Sequence, residues 1–557
     1  MNWRKLISYL RVWERSTSKS IDEWLSRKFL NRDFSEFVVY LSVICYTLIF
    51  SYFTFQKFYS FSAYAWDLGI FDQSLWTTVH AGRFFYSTVE QFLNPTGVFF
   101  GIHFSPILFL ILPFYSLHSS PFTLLVLQSF VLGLGAVPLY FFAKRVLNVR
   151  TTAVVFSLVY LFYPPLQGIN WFDFHLQSFL PLFFFCAIYF LSEEKWSRYF
   201  GCLFLSLMVA ENVPIVVLFI ALYSFWLFRK QFVNSIRERA VVDKRIAIPI
   251  LTALLALVWW FLALWIQQTY FPINSAYSQL YKAVDNWSVL GIQGDPVTLP
   301  LYALLNIGKS INALSYDFYL KLLYVFLLFG PLLFLSFRSL ITGITLAWLV
   351  PAFLSNYSPY YIIGTQYPAY VVAFIFIGAV YGIRKSASSP RFPSLSFHTK
   401  SLLLTGFLFA VFVSPLSPVM LALNNDVTSF GAYYPPTITD HDKTLQAIVN
   451  LMPRDASILT QNNIFPHFSN RLNAYVYPVE VILRRAPVEA MDEYLNETLQ
   501  KSDFILIDII TDPLASAAIR AKADAVDIYG IYAAADGICL LKKDYRGGPV
   551  FYVPYPT

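Results

Sequence analysis

The chain has 557 residues, of which 57% are hydrophobic, 19% aromatic and only 13% charged. Soluble domains carry about 25% charged residues, so a water-soluble enzyme is excluded, as is disorder, which needs low hydrophobicity. The net charge of +7 hides a division: residues 424–557 hold 11 Lys and Arg against 16 Asp and Glu, while residues 1–423 hold 29 against 17. A basic, apolar body is therefore joined to an acidic tail of ordinary composition. Cys45, Cys186, Cys202 and Cys539 have neither the number nor the spacing of a disulfide framework or a zinc site.

Residues 1–36 carry eight Lys and Arg but no apolar core or cleavage site. They predict a cytoplasmic amphipathic segment rather than a signal peptide. A spanning helix needs about 20 mostly apolar residues. Segments 37–54, 121–143, 246–269, 316–337, 339–355, 361–383 and 401–423 meet that need. Shorter apolar runs lie at 151–165, 176–191, 198–211 and 213–228. Basic residues mark cytoplasmic loops: Lys144, Arg145 and Arg150, then Lys195 and Arg198, then Arg229–Arg245 and Arg384–Lys400. With those loops inside, HFSPILFLILPFYSL (103–117) must be re-entrant or interfacial. Residues 198–228 must go out and return at Glu211-Asn212-Val213-Pro214, where the proline breaks the helical ladder. Each arm of that hairpin is about 21–24 Å long, short of the ~30 Å hydrocarbon core. The expected fold is an α-helical polytopic membrane domain (37–423) of about eleven transmembrane helices, with the N-terminus inside and long outer loops at 55–102 and 270–315. The sequons at Asn286, Asn356 and Asn496 all fall outside.

Residues 424–557 predict a small extracytoplasmic α/β domain. MDEYLNETLQ suggests a helix, FILIDI a strand, and IYAAADGICLLKK a hairpin turning at Asp536-Gly537.

Chemistry-bearing residues concentrate in the expected outer segments. In YAWDLGIFDQSLW (64–76), Asp67 and Asp72 are five apart and so do not share a helical face. One can face a cavity while the other caps or anchors, and a helix cap is the plainer reading of Asp67. In NWFDFHLQS (170–178), Asp173 and His175 can share a divalent metal, Mg or Mn, although two ligands do not specify one and an interfacial loop whose polar groups bind water is the plainer reading. Glu211, at a proline-broken tip within an apolar stretch, is a functional candidate by its cost in lipid, or a cap for the next helix. His103 opens the re-entrant segment. Arg83, Lys282, Lys309 and Lys321 are cations able to meet a lipid phosphate. Gln366 lies among tyrosines that suit an interfacial belt. No phosphate-binding loop, nucleophile elbow or basic, aromatic stripe for nucleic acid occurs.

The chain resembles a prokaryotic membrane family classed as domain of unknown function 2079. The resemblance rests on WDLGIFDQSLW (66–76), HFSPILFLILPFYSL (103–117), LLVLQSFVLGLGAVPLYFFAKRVL (124–147), YPPLQGINWFDFHLQSF (163–179), ENVPIVVLFIALY (211–223), QYPAY (366–370) and MPRDASILTQNNIFPHFSNRLNAYVYP (452–478). That family in turn resembles the GT-C glycosyltransferases, multi-spanning enzymes with an acid in the first outer loop that take a sugar from a polyprenyl-phosphate donor. The resemblance implies Asp67 as general base, with Asp72 as runner-up, Asp173 in the second-loop acidic motif, and Glu211 in a catalytic role. His175 stands where some relatives have a carboxylate, which leaves metal use open. Ala210 and Asn212 replace the charged neighbours that relatives carry beside Glu211. It further implies that aromatics such as Trp66 stack on sugars, and that His467 and Arg471 of the tail gate the cavity or bind acceptor. His103 and Gln366 complete the substrate contacts. The partners implied are membrane lipid, a polyprenyl-phosphate-linked sugar and an unidentified acceptor. A transporter or flippase is the alternative, though no two related halves are visible. So is a non-catalytic envelope protein that keeps the fold.

Overall fold

The computed structural model describes residues 20–29, 32–91, 94–238, 244–272, 284–292, 298–388, 393–423, 432–478 and 488–553. Every one of the expected spanning segments carries helix. Four helices are long and apolar enough to cross a bilayer alone: α1 (Phe34–Tyr59), α4 (Pro121–Leu147), α11 (Lys244–Tyr270) and α16 (Leu395–Ala422). Two more crossings are available as bent pairs. One joins α5 (Arg150–Leu161) to α6 (Pro164–Trp171) at 41°, and the other joins α12 (Ile307–Ser315) to α13 (Phe318–Leu332) at 73°. The rest of the bundle uses shorter helices: α7 (Leu180–Ser192), α8 (Trp196–Leu207), α9 (Val213–Leu227), α10 (Arg229–Glu238), α14 (Leu346–Phe353) and α15 (Val372–Ala387).

Local chemistry sets several of these boundaries. Ser120 accepts a bond from the Phe122 N–H and Pro121 occupies the first turn of α4, where its missing donor costs nothing. That helix ends at Asn148 in the left-handed conformation. The expected span at 316–337 is cut short at Gly330-Pro331, after which the chain continues in 3-10 turns to Thr345. Those turns pack on α15, the most enclosed helix of the bundle, where residues 372–380 are all buried. Gly382 permits this, since a Cβ there would fall 2.1 Å from the Leu335 carbonyl oxygen. The segment read as re-entrant forms α3 (Leu108–Leu117), only ten residues long and interrupted by Pro113.

The expected outer-side segments all gather at one end of the bundle. Between α1 and α3 lie a π-helical turn (Ala65–Gly69) and α2 (Ile70–Ala81). The C-terminal domain sits on them. Its six strands are β1 (Ile458–Thr460), β2 (Ala474–Val476), β3 (Phe504–Asp508), β4 (Tyr529–Ala535), β5 (Ile538–Lys543) and β6 (Phe551–Val553), in the order β2-β1-β3-β5-β4-β6. β1, β2 and β3 run parallel, β5 is antiparallel to β3 and β4, and the β4–β5 hairpin turns at Asp536-Gly537 as expected. One sheet face carries α18 (Val488–Lys501) and α19 (Pro513–Val526). The other, through Ile458, Phe504, Leu506 and Leu540, shares one apolar core with α17 (Asp440–Val449) and the membrane domain.

At the opposite end, Asp33, the residue before α1, gathers Lys28 at 3.0 Å, Lys144 at 2.8 Å and Arg150 at 3.1 Å. The Lys144 bond, with help from Lys28 and Arg150, holds the Asp33 carboxyl well below the usual carboxylate range. A group depressed in this way stabilises the fold above its unfolded pKa of about 4 and loses that contribution only in stronger acid. Asp33→Asn is expected to cost about 2 kcal/mol at neutral pH, measured as thermal unfolding in detergent, with the deficit vanishing on acidification.

Candidate functional site

Lys57, in the last turn of α1, is the buried cation around which the site is built. Its Nζ donates to Asp173 Oδ1 at 2.6 Å and to the Trp171 carbonyl at 2.9 Å. The second Asp173 oxygen accepts the Tyr64 N–H at 3.0 Å. Asp173 is held in the left-handed region at φ 55°, which Asp tolerates better than most side chains. On α4, Gln128 Nε2 donates to the Ile169, Asn170 and Asp173 carbonyls, while its Oε1 accepts the His175 N–H at 2.7 Å. The loop is thereby moulded so that His175 Nε2 stands 3.2 Å from Asp67 Oδ1. Its Nδ1 donates to the Phe172 carbonyl at 2.9 Å, and the ring stacks on Phe172.

This geometry corrects the reading of Asp173 and His175 as a metal pair. Both oxygens of Asp173 are bonded to protein, and His175 turns toward Asp67. Among the described residues no three His, Cys, Asp or Glu side chains are grouped to hold a metal.

A second cluster ties the α8–α9 tip to the first loop. Glu211 Oε1 meets His103 Nδ1 at 3.0 Å and its Oε2 accepts the Phe104 N–H at 3.1 Å. Loss of water alone would lower the His103 pKa, but the charge and hydrogen bond of Glu211, with Glu90 adding, outweigh it and raise the net value. Next door, Asn212 accepts the Tyr370 hydroxyl at 2.8 Å. Tyr367 and Tyr370 both lie parallel to the Trp348 ring, at 5.0 and 4.7 Å. Tyr367 lies in the field of Asp67 and Tyr370 in that of Glu211. The QYPAY segment therefore spans the gap between the two clusters. Gln366 Oε1 and Trp66 Nε1 are both buried with no hydrogen-bond partner among the described residues.

Three expected site residues serve the domain junction instead. Asp72 is fully buried, where Tyr115 and Ser469 each donate a hydroxyl at 2.6 Å. Burial pushes its carboxyl up to about 7 despite those bonds. His467 lies between Phe58 and Phe61, at 4.1 and 4.0 Å, and donates Nε2–H to the Phe58 carbonyl. Burial lowers its imidazole to about 3, so it is a neutral wedge. Arg471 donates to the Ala456 carbonyl at 2.9 Å and covers the Phe468 ring. Neither of these last two faces Asp67. The junction is otherwise made by Gln73, bonded to the Arg471 and Ala474 carbonyls and to Ser87 and Thr88, and by Asn462, whose carbonyl accepts the Ala65 N–H at 2.9 Å. Gly69 admits Phe465, whose ring would lie 2.7 Å from an added Cβ. Lys321 is buried on the Ala313 carbonyl, Lys309 bonds the Tyr302 hydroxyl, and Lys282 lies outside the described residues.

Of the four acids, Asp173, Asp72 and Glu211 have both oxygens occupied. Asp67 alone makes no carboxylate hydrogen bond among the described residues, is 19% exposed and has an imidazole beside it. Lys57, Gln128 and Asn462 went unnoticed in the sequence. A lone cation and a lone amide inside apolar helices were the available signal for the first two; Asn462 offered none.

The comparisons with known proteins agree with this architecture. Residues 57–540 match the sequence model of a family described as Predicted membrane protein (DUF2079). The structure of ArnT from Cupriavidus metallidurans bound to undecaprenyl phosphate superposes with a TM-score of 0.50 at 12% identity, covering 90% of this chain and 97% of that one. The apo form of the same protein gives 0.37 at 11% identity, covering 89% and 98%. No curated protein matches the chain. The first likeness shows the fold alone: over 90% of its length this chain folds like that structure.

Two substitutions test the assignment of structural roles. Lys57→Met leaves Asp173 buried without its cation and is expected to cost about 3–5 kcal/mol, with most of the loss recovered in Lys57→Met/Asp173→Asn; thermal unfolding in detergent measures both. For Asp72 the folded carboxyl keeps a proton that the unfolded chain has released, so stability falls as pH rises from about 4 to about 7. Asp72→Asn removes that slope, worth at most about 4 kcal/mol, and unfolding curves across that pH range will show a flatter profile than wild type.

Proposed function

Because the chain belongs to the DUF2079 family of predicted membrane proteins, we propose that it is a membrane glycosyltransferase. In this reading it moves a sugar from a polyprenyl-phosphate donor to an acceptor at the outer face of the membrane. The observation that carries the reading is the Asp67–His175 pair: one carboxylate that makes no hydrogen bond among the described residues, held 3.2 Å from an imidazole at the junction of the first span, the second loop and the C-terminal domain. The undecaprenyl phosphate bound by the structural neighbour supports a polyprenyl-phosphate partner. The basic clusters that include Lys28, Arg32, Lys144 and Arg150 support a cytoplasmic N-terminus, and in this reading the C-terminal domain lies on the outer side.

The chemistry follows from the arrangement. The acceptor hydroxyl attacks the anomeric carbon, the bond from that carbon to the phosphate oxygen breaks, and polyprenyl phosphate leaves. The hydroxyl proton passes to Asp67, acting as general base. His175, fixed by the Phe172 carbonyl, orients the carboxylate and tempers its charge. Trp66 and Gln366 offer a buried donor and a buried acceptor for sugar hydroxyls. Glu211 and His103 hold the neighbouring tip in place.

Removal of the base is expected to lower transfer about 10²–10⁴-fold in Asp67→Asn, with expression and thermal stability retained. The measurement is release of polyprenyl phosphate from labelled polyprenyl-phosphate hexoses by membranes containing each protein. Equal release by wild type and Asp67→Asn would remove the proposal, and movement of labelled lipid between leaflets without bond cleavage would replace it with a flippase.

A further inference from the structure

His441, in the first turn of α17, has a carboxylate at each side of its ring. Nε2 stands 2.9 Å from Asp508 Oδ2 at the end of β3, and Nδ1 stands 2.8 Å from Asp536 Oδ2 in the β4–β5 turn. A ring that faces an acceptor at both nitrogens needs a proton on both, so the geometry is that of the imidazolium. Asp508 is fully buried and also accepts the Thr511 hydroxyl and the Ile510 N–H. The other charged groups nearby are committed elsewhere: Asp440 to Lys443, Asp442 to Thr439, and Asp512 to the Ala515 N–H at the start of α19. Loss of water alone would lower the His441 pKa, but the hydrogen bonds and charges of Asp508 and Asp536 raise it overall. The clamp holds one end of a strap. At the other end the Trp171 indole donates to the Ala432 carbonyl at 2.9 Å and the Tyr433 hydroxyl to the Pro164 carbonyl at 3.3 Å, just before Asp173.

Asp72 makes the matching contact on the far side of the domain. Ser469 Oγ lies 2.6 Å from Asp72 Oδ2 and 2.9 Å from the Pro466 carbonyl oxygen. A serine has one proton to give. With Asp72 ionised, the carboxylate takes that proton and Ser469 has none for Pro466. With Asp72 protonated, the carboxyl donates to Ser469, Ser469 donates to Pro466, and Tyr115 donates to Asp72 Oδ1. Asn470, 3.4 Å from the Tyr115 hydroxyl, is the other polar side chain at this point, and no cation pairs with Asp72 among the described residues.

We propose that the C-terminal domain is seated on the bundle by two protons, one on His441 and one on Asp72, and opens from the Asp67 loop as they are lost. The two contributions have the same sign. The His441 clamp is complete below the ordinary imidazole value of 6.5 and is lost as pH rises through its higher folded value. Asp72 keeps its proton up to about 7 when covered and releases it near 4 when open, so its seat weakens as pH rises between those values. Opening frees the Ala65 N–H from Asn462, two residues before Asp67. The inference uses the placement of the Asp67 loop and does not need the transferase reading.

The test is backbone hydrogen exchange of the full-length protein in detergent at about pH 5, 7 and 8.5, corrected for the intrinsic exchange rate. Protection of residues 65–72 and 465–470 is expected to fall by up to about tenfold per pH unit from pH 5 to 7, and that of α17 on toward pH 8.5, while α1 and α4 hold theirs. Asp72→Asn offers Ser469 a donor and Tyr115 an acceptor, as the protonated acid does. Asp536→Asn offers a donor to a bare Nδ1, so a neutral His441 can still give Nε2–H to Asp508. Each substitution is expected to flatten the profile of its own contact, and the two together to flatten all three segments. Wild-type slopes in the double variant would overturn the proposal. So would loss of protection in α1 and α4 together with the domain, which marks global unfolding. Slopes abolished everywhere by one substitution alone would overturn the other proton's part.

Discussion

The site depends on one buried ion pair. Lys57 and Asp173 leave water together, a costly step that succeeds only when geometry and additional hydrogen bonds are good. Here the remaining partners are the Trp171 carbonyl and the Tyr64 N–H. Those two groups belong to the segments that carry Asp67 and His175: Tyr64 stands three residues before the first, and Trp171 four before the second. The ion pair therefore clamps both loops to the end of the first span. Gln128 completes the clamp from α4, and the Asp67–His175 contact is the geometric result. A buried charge pair of this kind is weak evidence for net stability; what it fixes here is register.

The C-terminal domain supplies the second constraint. Its junction with the first loop is largely polar and is closed to water at Asp72, Gln73 and Thr88, with half-buried Asn462 at its margin. Polar groups in such a place must be fully paired, so the domain has few ways to sit. The neutral His467 between two phenylalanines and the close approach of Phe465 to Gly69 add shape to that pairing. Because Ala65 bonds Asn462 one residue before Trp66, the same contacts that seat the domain also set the backbone leading to Asp67.

The sequence carried the architecture more faithfully than the site. Hydrophobic length placed helix in each apolar segment, and the charge division at residue 424 separated bundle from sheet domain. The Asp-Gly pair marked the hairpin. What it lacked was partner identity. Asp173 and His175, two residues apart, suggested a shared metal, yet the left-handed backbone at Asp173 breaks the extended run between them and sends one to Lys57 and the other to Asp67. Asp67 and Asp72, five apart, were rightly kept from forming a dyad, but nothing local showed that Ser469, nearly four hundred residues later, would cover the second. His467 and Arg471 looked like acceptor contacts because the tail's docking surface cannot be read from its own residues. The break at Gly330-Pro331 was visible as a dipeptide but was outweighed by the apolar run around it.

A single rule distinguishes the acids that this fold buries. Asp173 meets an ammonium, Asp72 two hydroxyls, and Glu211 an imidazole and a backbone N–H; each is saturated, and saturation makes a carboxylate structural. Asp67 meets only the edge of His175, whose other nitrogen is committed to a carbonyl. A carbonyl can only accept, so Nδ1 donates in that contact and Nε2 is the nitrogen turned toward Asp67. Among the described residues Asp67 is thus the one of the four acids whose oxygens are not taken up by hydrogen bonds within the protein.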